Sequence, residues 1–260
     1  MPMLQAHGCR IEYEWIGAPV PGRPTLVFLH QGLGSIAQWR DFPAKLSQAT
    51  GCPAFVYNRE GHGGSDSCAW PRPPDFMEIE ARDRLPEILE VAGIDDFVLV
   101  GHSDGGTISL VYAAEVKTGM RGVIVEGFHV FAEEIVRDAI RQAQEAYVNG
   151  DLRRKLARYQ GSNVDCAFHG WAETWLQPEM RDYTIAPLIP KIEAPILAIL
   201  GTQDAAGTMA QIDCLPDLAR APLELSKPDC GHAPHEEVEP EMLALMAGFV
   251  ARLQEPAQSP

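Results

Sequence analysis

The stretch FVLVGHSDGG at residues 97–106 restricts the fold of this chain more than any other part of the sequence. It places the pattern G-x-S-x-G, formed by Gly101, Ser103 and Gly105, directly after an apolar run and before a helical segment at 107–115. A sharp strand-to-helix turn needs small residues on both sides of the serine, and it lifts the hydroxyl above the sheet beside a helix N-terminus. The pattern predicts Ser103 as a nucleophile, with a purely structural glycine turn as the alternative.

The apolar pattern of the chain predicts strands that alternate with helices. Short runs rich in branched and aromatic residues are typical of buried strands and lie at 25–30, 54–58, 97–101, 122–126, 195–200 and 223–226. Longer segments with helical spacing include 75–92 and 236–253. This alternation predicts an α/β fold with a mainly parallel sheet, to which residues 9–16 could add an antiparallel edge strand. With 260 residues, 46% of them hydrophobic, the chain can bury one sizeable core.

Residues 131–183 interrupt this alternation, because they contain no convincing strand. Three segments at 133–147, 151–159 and 165–176 have helical spacing, and the last carries Phe168, Trp171 and Trp175. A helical block inserted between two strands of a parallel sheet lies at one edge or over one end of that sheet. We expect a helical cap over the active site, with an ordinary long crossover as the alternative.

A serine nucleophile needs a base that takes its proton, and His232 is the best placed histidine. It lies in DCGHAPH at 229–235, in a loop between the last predicted strand and the final helix. His235 is the nearest competitor, but the two glutamates and the helix start that follow it favour a surface or supporting position. His30, at a strand end, is interpreted as structural.

The base in turn needs a carboxylate that orients it and stabilises its cation. Asp204 ends the sequence GTQD just beyond the strand at 195–200. The resulting chain order of Ser103, Asp204 and His232 is the order that accompanies a strand–turn–helix nucleophile. Glu126 ends another strand and is the main alternative.

The negative oxygen of a tetrahedral intermediate requires two hydrogen-bond donors. The backbone amide of Asp104, immediately after the nucleophile, supplies one of them. The second is expected in the loop LHQGLGS at 29–35, where we predict the amide of Gly32, or that of Gln31 or Leu33 if the register slips by one. A glycine-rich turn without a catalytic role is the alternative.

Five motifs together resemble the α/β-hydrolase superfamily: HQGLG at 30–34, NREGHGGS at 58–65, GHSDGG at 101–106, GTQD at 201–204 and GH at 231–232. The resemblance spans the chain from about residue 10 to residue 253. It implies an eight-stranded, mostly parallel sheet flanked by helices, a serine–histidine–aspartate triad and no cofactor. It also implies a core formed by residues 1–126 and 184–260, with a helical cap at residues 127–183. HQG stands where His-Gly is more usual, which leaves the second oxyanion donor open.

Further side chains are predicted to contact substrate, namely those of Gln31, Leu33, His129, Trp171 and Trp175. A structural role for His129, and packing of the tryptophans between cap and core, are the alternatives. The Asp104 carboxylate would disfavour anionic substrates if it pointed into the pocket, but we expect it to face the amides of a helix N-terminus. No metal site is expected, because His232-x-x-His235 lacks a third-ligand pattern.

The formal charge of −15 disfavours nucleic acid and anionic membranes as partners, although solubility alone also explains it. Six scattered cysteines without a C-x-x-C pair, and no signal-peptide pattern, predict free thiols in a cytoplasmic protein. No apolar run approaches the ~20 residues that cross a bilayer. The oligomeric state is left open, and residues 255–260 are expected to form a frayed tail.

The predicted chemistry is acyl transfer from a small-molecule substrate to Ser103 and then to water. A small to medium, partly apolar carboxylic ester is the first expectation. Hydrolysis of a carbon–carbon bond in a vinylogous diketone, which similar capped members of the superfamily perform, is an alternative on the same fold, and so is lactone cleavage. A noncatalytic ligand receptor is the alternative from another functional class.

Overall fold

The computed structural model of the chain describes residues 1–254 and is built on one sheet of eight strands. The strands are β1 (Met3–Ala6), β2 (Cys9–Ile16), β3 (Thr25–Leu29), β4 (Ala54–Tyr57), β5 (Phe97–His102), β6 (Met120–Glu126), β7 (Ile196–Ile199) and β8 (Leu223–Ser226). Their spatial order is β1-β2-β4-β3-β5-β6-β7-β8. The pairs β1–β2 and β2–β4 are antiparallel and all other pairs are parallel. The mostly parallel eight-stranded sheet is therefore confirmed.

Helices flank this sheet. They are α1 (Phe42–Thr50), α2 (Phe76–Ile79), α3 (Leu85–Ala92), α4 (Asp104–Glu115), α5 (Glu134–Val148), α6 (Leu152–Gln160), α7 (Val164–Trp175), α8 (Ala210–Asp213), α9 (Leu215–Leu218), α10 (Pro234–Glu237) and α11 (Glu239–Gln254). The helix predicted at 75–92 is divided, because a π-helical turn at Glu80–Arg84 separates α2 from α3. Short 3-10 turns occupy Ile36–Trp39, Gly161–Asn163, Glu179–Asp182 and Ile189–Lys191.

Both faces of the central strands are buried. In β3, Leu26 and Phe28 belong to one apolar cluster, while Val27 and Leu29 belong to the other, as the two-residue period of a strand requires. The helices α1 and α11 cover the first cluster, and α3, α4 and α7 contribute to the second. Because no face of these strands meets water, their sequences are continuous apolar runs, which is why they could be predicted.

The chain between β6 and β7 forms a helical insertion made of α5, α6 and α7. Each of these helices lies within one residue of its predicted bounds. The two ends of the insertion meet at its base, where Phe131 and Thr184 form a bridge and the Ile185 amide donates to the carbonyl of Val130 at 2.7 Å. The insertion therefore begins and ends at one place in the fold.

The carboxyl ends of the parallel strands meet at one edge of the sheet, which is where open α/β sheets bind their ligands. The loops after β5, β6, β7 and β8 carry Ser103, His129, Asp204 and His232 to this edge. Within residues 1–254, no helix has the length and apolar character needed to span a membrane. The predicted frayed tail, residues 255–260, lies outside the described residues.

Candidate active site

The turn between β5 and α4 holds Ser103 in a strained conformation. Its φ of 55° and ψ of −120° lie in a region that residues with a side chain rarely adopt. The glycines beside it are required by close backbone approach. A Cβ on Gly101 would lie 2.3 Å from the carbonyl oxygen of Gly105, and a Cβ on Gly105 would lie 2.1 Å from that of Leu29. The local sequence therefore folds into the sharp turn that the G-x-S-x-G pattern predicts.

Asp204 and His232 form a close pair at the same edge of the sheet. His232 Nδ1 lies 2.8 Å from Oδ2 and 3.0 Å from Oδ1 of the Asp204 carboxylate. Burial opposes ionisation of this carboxylate, but the hydrogen bonds from His232 and from the Ala206 amide outweigh it and hold the pKa of Asp204 below its usual value. The charged carboxylate keeps the proton of a neutral His232 on Nδ1, which leaves Nε2 free to accept a proton.

Ser103 is connected to the Asp204–His232 pair through His102, the residue that precedes it in the chain. The hydrogen bonds found among residues 1–254 do not include one between Ser103 and His232. The centroid of the His102 ring instead lies 5.0 Å from that of the His232 ring, and His102 Nε2 is 2.9 Å from the carbonyl oxygen of His232. The structure therefore joins Asp204 to His232 directly, and links Ser103 to His232 by way of His102.

The alternative acid, Glu126, is bound to a different histidine. Its carboxylate contacts Nδ1 of His235 and accepts a hydrogen bond of 3.2 Å from the His235 amide. Both side chains are buried, so a surface position for His235 is wrong and its supporting position remains. Burial disfavours both charges, but mutual attraction prevails, so the pKa of His235 is raised and that of Glu126 is lowered.

The loop after β3 is fixed through its carbonyl groups. Arg59 donates from Nη1 to the carbonyl of His30 at 2.8 Å and from Nη2 to that of Gln31 at 3.1 Å. His62 Nε2 lies 3.0 Å from the carbonyl oxygen of Gly32. His30 is itself structural, as expected, because its Nε2 accepts a hydrogen bond of 3.1 Å from the Arg59 amide. These contacts fix the carbonyls of residues 30–32.

A buried glutamine of the helical insertion completes this arrangement. Gln160 Nε2 donates to the carbonyls of Leu33 and Gly34, each at 2.9 Å. With these carbonyls fixed, the amides of the loop have defined directions as well. Neither the Gly32 nor the Asp104 amide donates a backbone hydrogen bond to another group of residues 1–254. Both predicted oxyanion donors are thus free at this edge of the sheet.

The side chain of Asp104 points toward the loop and the insertion. Its Oδ1 accepts a hydrogen bond of 3.2 Å from Trp175 Nε1, and its Oδ2 lies 2.8 Å from the position that a Cβ on Gly32 would occupy. The expectation that it faces the amides of the helix N-terminus is therefore wrong. Burial raises the pKa of Asp104, and the charge of Arg59 opposes this effect.

Three of the predicted substrate-contacting side chains gather around this point. A Cβ on Gly32 would lie 2.3 Å from Cδ1 of Trp171, so the indole lies directly against the loop. The centroid of the buried His129 ring is 6.5 Å from that of the His232 ring and 5.3 Å from that of the Trp175 ring. Among residues 1–254 its Nδ1 has no hydrogen-bond partner, and burial lowers the pKa of His129 to about 4. His129 is therefore neutral at physiological pH.

Gln31 and Leu33 contribute to the site in another way. Their carbonyls are the acceptors for Arg59 and Gln160, and the Gln31 side chain packs against Gly34. Among residues 1–254, neither side chain forms a hydrogen bond with Ser103, Asp204 or His232. Their contribution to the described geometry is the shape of the loop.

A family model described as the alpha/beta hydrolase fold matches residues 24–186, which is more than half of the chain. The chain belongs to this alpha/beta hydrolase family. The matched residues include the strands β3 to β6, the strained serine turn and the helical insertion.

Two curated relatives of this alpha/beta hydrolase carry the name 2-succinyl-6-hydroxy-2,4-cyclohexadiene-1-carboxylate synthase. The Escherichia coli enzyme is 34% identical over 189 residues, which cover 62% of this chain and 72% of that enzyme. The Klebsiella pneumoniae enzyme is 33% identical over 141 residues, which cover 52% of this chain and 51% of the relative. The match thus spans only about half the length of the Klebsiella enzyme.

Solved structures extend the likeness of fold over nearly the whole chain. A thermophilic esterase from Thermogutta terrifontis superposes with a TM-score of 0.76 at 16% sequence identity. The superposition covers 98% of this chain and 100% of the esterase. At this identity the similarity establishes the fold alone.

Some residues that shape the site of this alpha/beta hydrolase were not predicted. Arg59, His62 and Gln160 act through side-chain bonds to backbone carbonyls, and Gln160 is 127 residues from the loop position that it binds. The NREGHGGS motif signalled the importance of residues 58–65 without assigning these contacts. No local signal marks Gln160, which lies in an otherwise ordinary amphipathic helix.

His102, Glu126 and His235 also bring potential metal-ligand atoms within 4.8 Å of one another. Glu126 and His235 are already bound to each other, and His102 is bound to the carbonyl of His232. Through these hydrogen bonds, the buried cluster supports the Asp204–His232 pair from behind.

Proposed function

We propose that this chain is a serine hydrolase that cleaves a small to medium, partly apolar carboxylic ester through an acyl-enzyme. The observation that carries the proposal is the Asp204–His232 pair, with its 2.8 Å contact, at the edge of the sheet where a strained turn presents Ser103. Ser103 is the proposed nucleophile, His232 the base and Asp204 the acid that orients the base.

In the first half of the reaction, His232 Nε2 takes the hydroxyl proton as Ser103 Oγ attacks the ester carbonyl carbon. The bond to Asp204 keeps Nδ1 protonated and stabilises the imidazolium that forms. The tetrahedral intermediate then collapses, the bond to the alcohol oxygen breaks, and His232 gives its proton to the leaving alcohol. Ser103 is left carrying the acyl group.

The amides of Gly32 and Asp104 are the proposed donors to the negative oxygen of the intermediate. Among residues 1–254 these amides have no backbone acceptor, which is also true of the alternative amides of Gln31 and Leu33, and the fixed carbonyls of the loop orient them. Donors that are oriented before the reaction need no reorganisation when the charge develops, and each contributes on the order of 10²–10³ in turnover.

In the second half, His232 takes a proton from a water molecule as its oxygen attacks the acyl carbon. The second tetrahedral intermediate uses the same two amides. Its collapse breaks the bond to Ser103 Oγ, which recovers its proton from His232, and the carboxylic acid leaves. One ester and one water are consumed, and one acid and one alcohol are released.

We assign residues 127–183 as a cap over this site, and residues 1–126 and 184–260, of which 255–260 lie outside the described residues, as the hydrolase core. The bridge between Phe131 and Thr184 supports these bounds. Contacts of Trp171 with Gly32 and of Trp175 with Asp104 support a position of α7 above the nucleophile. His129, Trp171 and Trp175 would then form the walls that contact the acyl or alcohol group.

The curated relatives suggest a second candidate, the synthase activity that their name describes. It is supported by 34% identity over 72% of the Escherichia coli enzyme. The product in that name carries a carboxylate, whereas here the Asp104 carboxylate lies beside Gly32 and next to the nucleophile in sequence. We favour a neutral ester because an ionised Asp104 would repel a substrate carboxylate in a buried site. Carbon–carbon and lactone hydrolysis would use the same residues and stay alternatives.

The proposal is tested with a fluorophosphonate probe together with turnover of p-nitrophenyl acetate and butyrate. We expect one adduct on the wild-type protein, no adduct on Ser103→Ala, and slow labelling of His232→Ala. Ser162→Ala, which removes an exposed serine of the insertion, is the matched control and should behave like wild type.

Each outcome of this experiment has a distinct meaning. Labelling with ester turnover supports the esterase. Labelling of Ser103 without ester turnover retains the nucleophile and excludes these esters, so that diketones, lactones and the synthase substrate are assayed next. The absence of labelling at Ser103 would contradict the serine-hydrolase proposal and favour a noncatalytic ligand receptor.

A further inference from the structure

Two thiols from distant parts of the chain meet beside the proposed cap. Cys68, between β4 and α2, and Cys166, in α7, are 98 residues apart, yet their Sγ atoms are separated by 3.2 Å. The Cys68 amide also donates to Cys166 Sγ at 3.3 Å. Both thiols are free, and the disulfide bond length of about 2.05 Å requires only a small approach of the two sulfurs.

The surroundings of the pair favour a reactive sulfur. A Cβ on Gly61, whose φ is 83°, would lie 2.6 Å from Cys68 Sγ and 2.9 Å from both Cys166 Sγ and Arg72 Nη2. The missing side chain thus makes room for both sulfurs and the guanidinium. The hydrogen bond with Cys68 and the charge of Arg72 lower the pKa of Cys166 to about 6, although burial opposes this shift. A thiolate is the nucleophilic form of cysteine.

A small oxidant can reach the pair from solvent at Cys68. Cys68 is only half-buried and lines a cavity of about 310 Å³ together with Arg72, Glu60 and the start of α2, whereas Cys166 is buried and does not line this cavity. The same segment of chain is bound to α7, because the Arg72 amide donates to Thr174 Oγ1 at 2.8 Å. The pair thus joins two segments that already contact each other by non-covalent bonds.

We infer that Cys68 and Cys166 form a reversible disulfide that fastens α7 to the hydrolase core and restricts access to Ser103. The helix α7 carries Trp171 and Trp175 above the nucleophile, so a covalent bond at Cys166 holds these indoles against the loop at Gly32. The effect on access to Ser103 rests on the proposed function. Formation of the disulfide does not rest on the proposed function.

The oxidation balances with hydrogen peroxide as the oxidant. Cys68 sulfur attacks one peroxide oxygen as its proton passes to the Cys166 thiolate, the O–O bond breaks, and a Cys68 sulfenic acid and one water form after protonation. Cys166 sulfur then attacks Cys68 sulfur, its proton leaves, and a second water departs with the sulfenic oxygen. Two thiols and one peroxide give one disulfide and two waters, and a dithiol reductant reverses the change.

The test compares reduced and peroxide-treated full-length protein. We expect a mass loss of two hydrogens, a Cys68–Cys166 linked peptide, and slower amide hydrogen exchange across α7. Fluorophosphonate labelling of Ser103 should slow by about tenfold, as for a lid that opens less often, and recover with dithiothreitol. Cys68→Ser and Cys166→Ser should show neither the linkage nor the slowing, whereas Cys214→Ser should behave like wild type.

Other results would overturn the inference. Oxidation of Cys68 or Cys166 to a sulfinic acid without a linked peptide, or a linkage between other cysteines, contradicts the disulfide. A Cys68–Cys166 linkage that leaves both hydrogen exchange across α7 and the labelling rate unchanged contradicts the restriction of access. If reduced protein is not labelled at Ser103, the proposed function fails, while the linked peptide and the hydrogen exchange still decide the disulfide.

Discussion

His102 Nε2 lies 2.9 Å from the main-chain carbonyl oxygen of His232. Burial lowers the pKa of His102 to about 3, so its ring is neutral and donates this hydrogen bond from Nε2. Because His102 immediately precedes Ser103, the bond ties the backbone of the proposed nucleophile to that of the proposed base. The carboxylate of Asp204 fixes the His232 side chain, and His102 fixes its main chain.

Replacement of His102 should therefore misplace the base without removing it. We expect His102→Ala to lower kcat for p-nitrophenyl butyrate on the order of 10²-fold, with little change in KM, because a displacement of about 1 Å is enough for such a loss. His102→Gln, which retains a donor, should lose less. Equal kcat in wild type and a folded His102→Ala would show that the bond has no positioning role.

Substitution of the two rival carboxylates should separate their roles. Asp204→Asn is expected to lower kcat by roughly 10⁴-fold, because an amide no longer fixes the tautomer of His232 or stabilises its cation. Glu126→Gln should cost far less activity, since Glu126 binds His235. Initial rates of ester turnover at saturating substrate make the comparison. A larger loss in Glu126→Gln than in Asp204→Asn would exchange the two assignments.

The buried Glu126–His235 pair should make stability depend on pH. The pKa of His235 is raised from 6.5, so its stabilisation is fully present below pH 6.5 and is lost as the pH rises through the folded-state pKa. The pKa of Glu126 is lowered from 4.5, so its stabilisation is present above pH 4.5 and is lost as the pH falls through the folded-state pKa.

The stability difference between wild type and Glu126→Gln should consequently be largest between pH 4.5 and 6.5. Removal of one partner of a buried ion pair typically costs about 3–5 kcal/mol. Urea denaturation at a series of pH values measures the difference. A constant difference across the whole series would mean that the pair does not carry opposite charges in the folded state.

A methyl group at Gly32 should collide with the proposed cap. Its Cβ would lie 2.3 Å from Trp171 Cδ1 and 2.8 Å from Asp104 Oδ2, so either the loop or α7 must move. We expect Gly32→Ala to lower kcat on the order of 10²-fold through a displaced oxyanion donor. The double variant with Trp171→Ala should recover more activity than the two single losses predict. Strict additivity of the two effects would argue against the contact.

The sequence predicted those parts of the fold whose side chains have uniform surroundings. The strands β3 to β7 are apolar at nearly every position because both sheet faces are covered, and the turn at Ser103 is marked by glycines that close backbone approach requires. The strand β1 was missed because Met3–Ala6 has only four residues and two exposed side chains. The break between α2 and α3 is marked by Pro86, which lies in the first turn of α3 and cannot donate a helical hydrogen bond, a signal that the prediction of one helix at 75–92 did not use.

The remaining features depend on contacts between residues far apart in sequence. Two acidic residues after His235 suggested that its side chain is exposed to solvent. The fold instead buries the imidazole against Glu126, 109 residues away. The Asp104 carboxylate accepts a hydrogen bond from Trp175 of the insertion instead of from the nearby helix amides. Such pairings have no spacing that a single sequence could reveal, so they required the three-dimensional arrangement.

Direct trapping of the acyl-enzyme tests the central claim that Ser103 is the nucleophile. The protein would be mixed rapidly with p-nitrophenyl butyrate, quenched in acid, and analysed by intact mass and peptide mapping. We predict one butyryl group on the peptide that contains Ser103, formed in a burst with p-nitrophenol and absent from Ser103→Ala. Turnover without this adduct in wild type, or an unchanged burst in Ser103→Ala, would contradict the account.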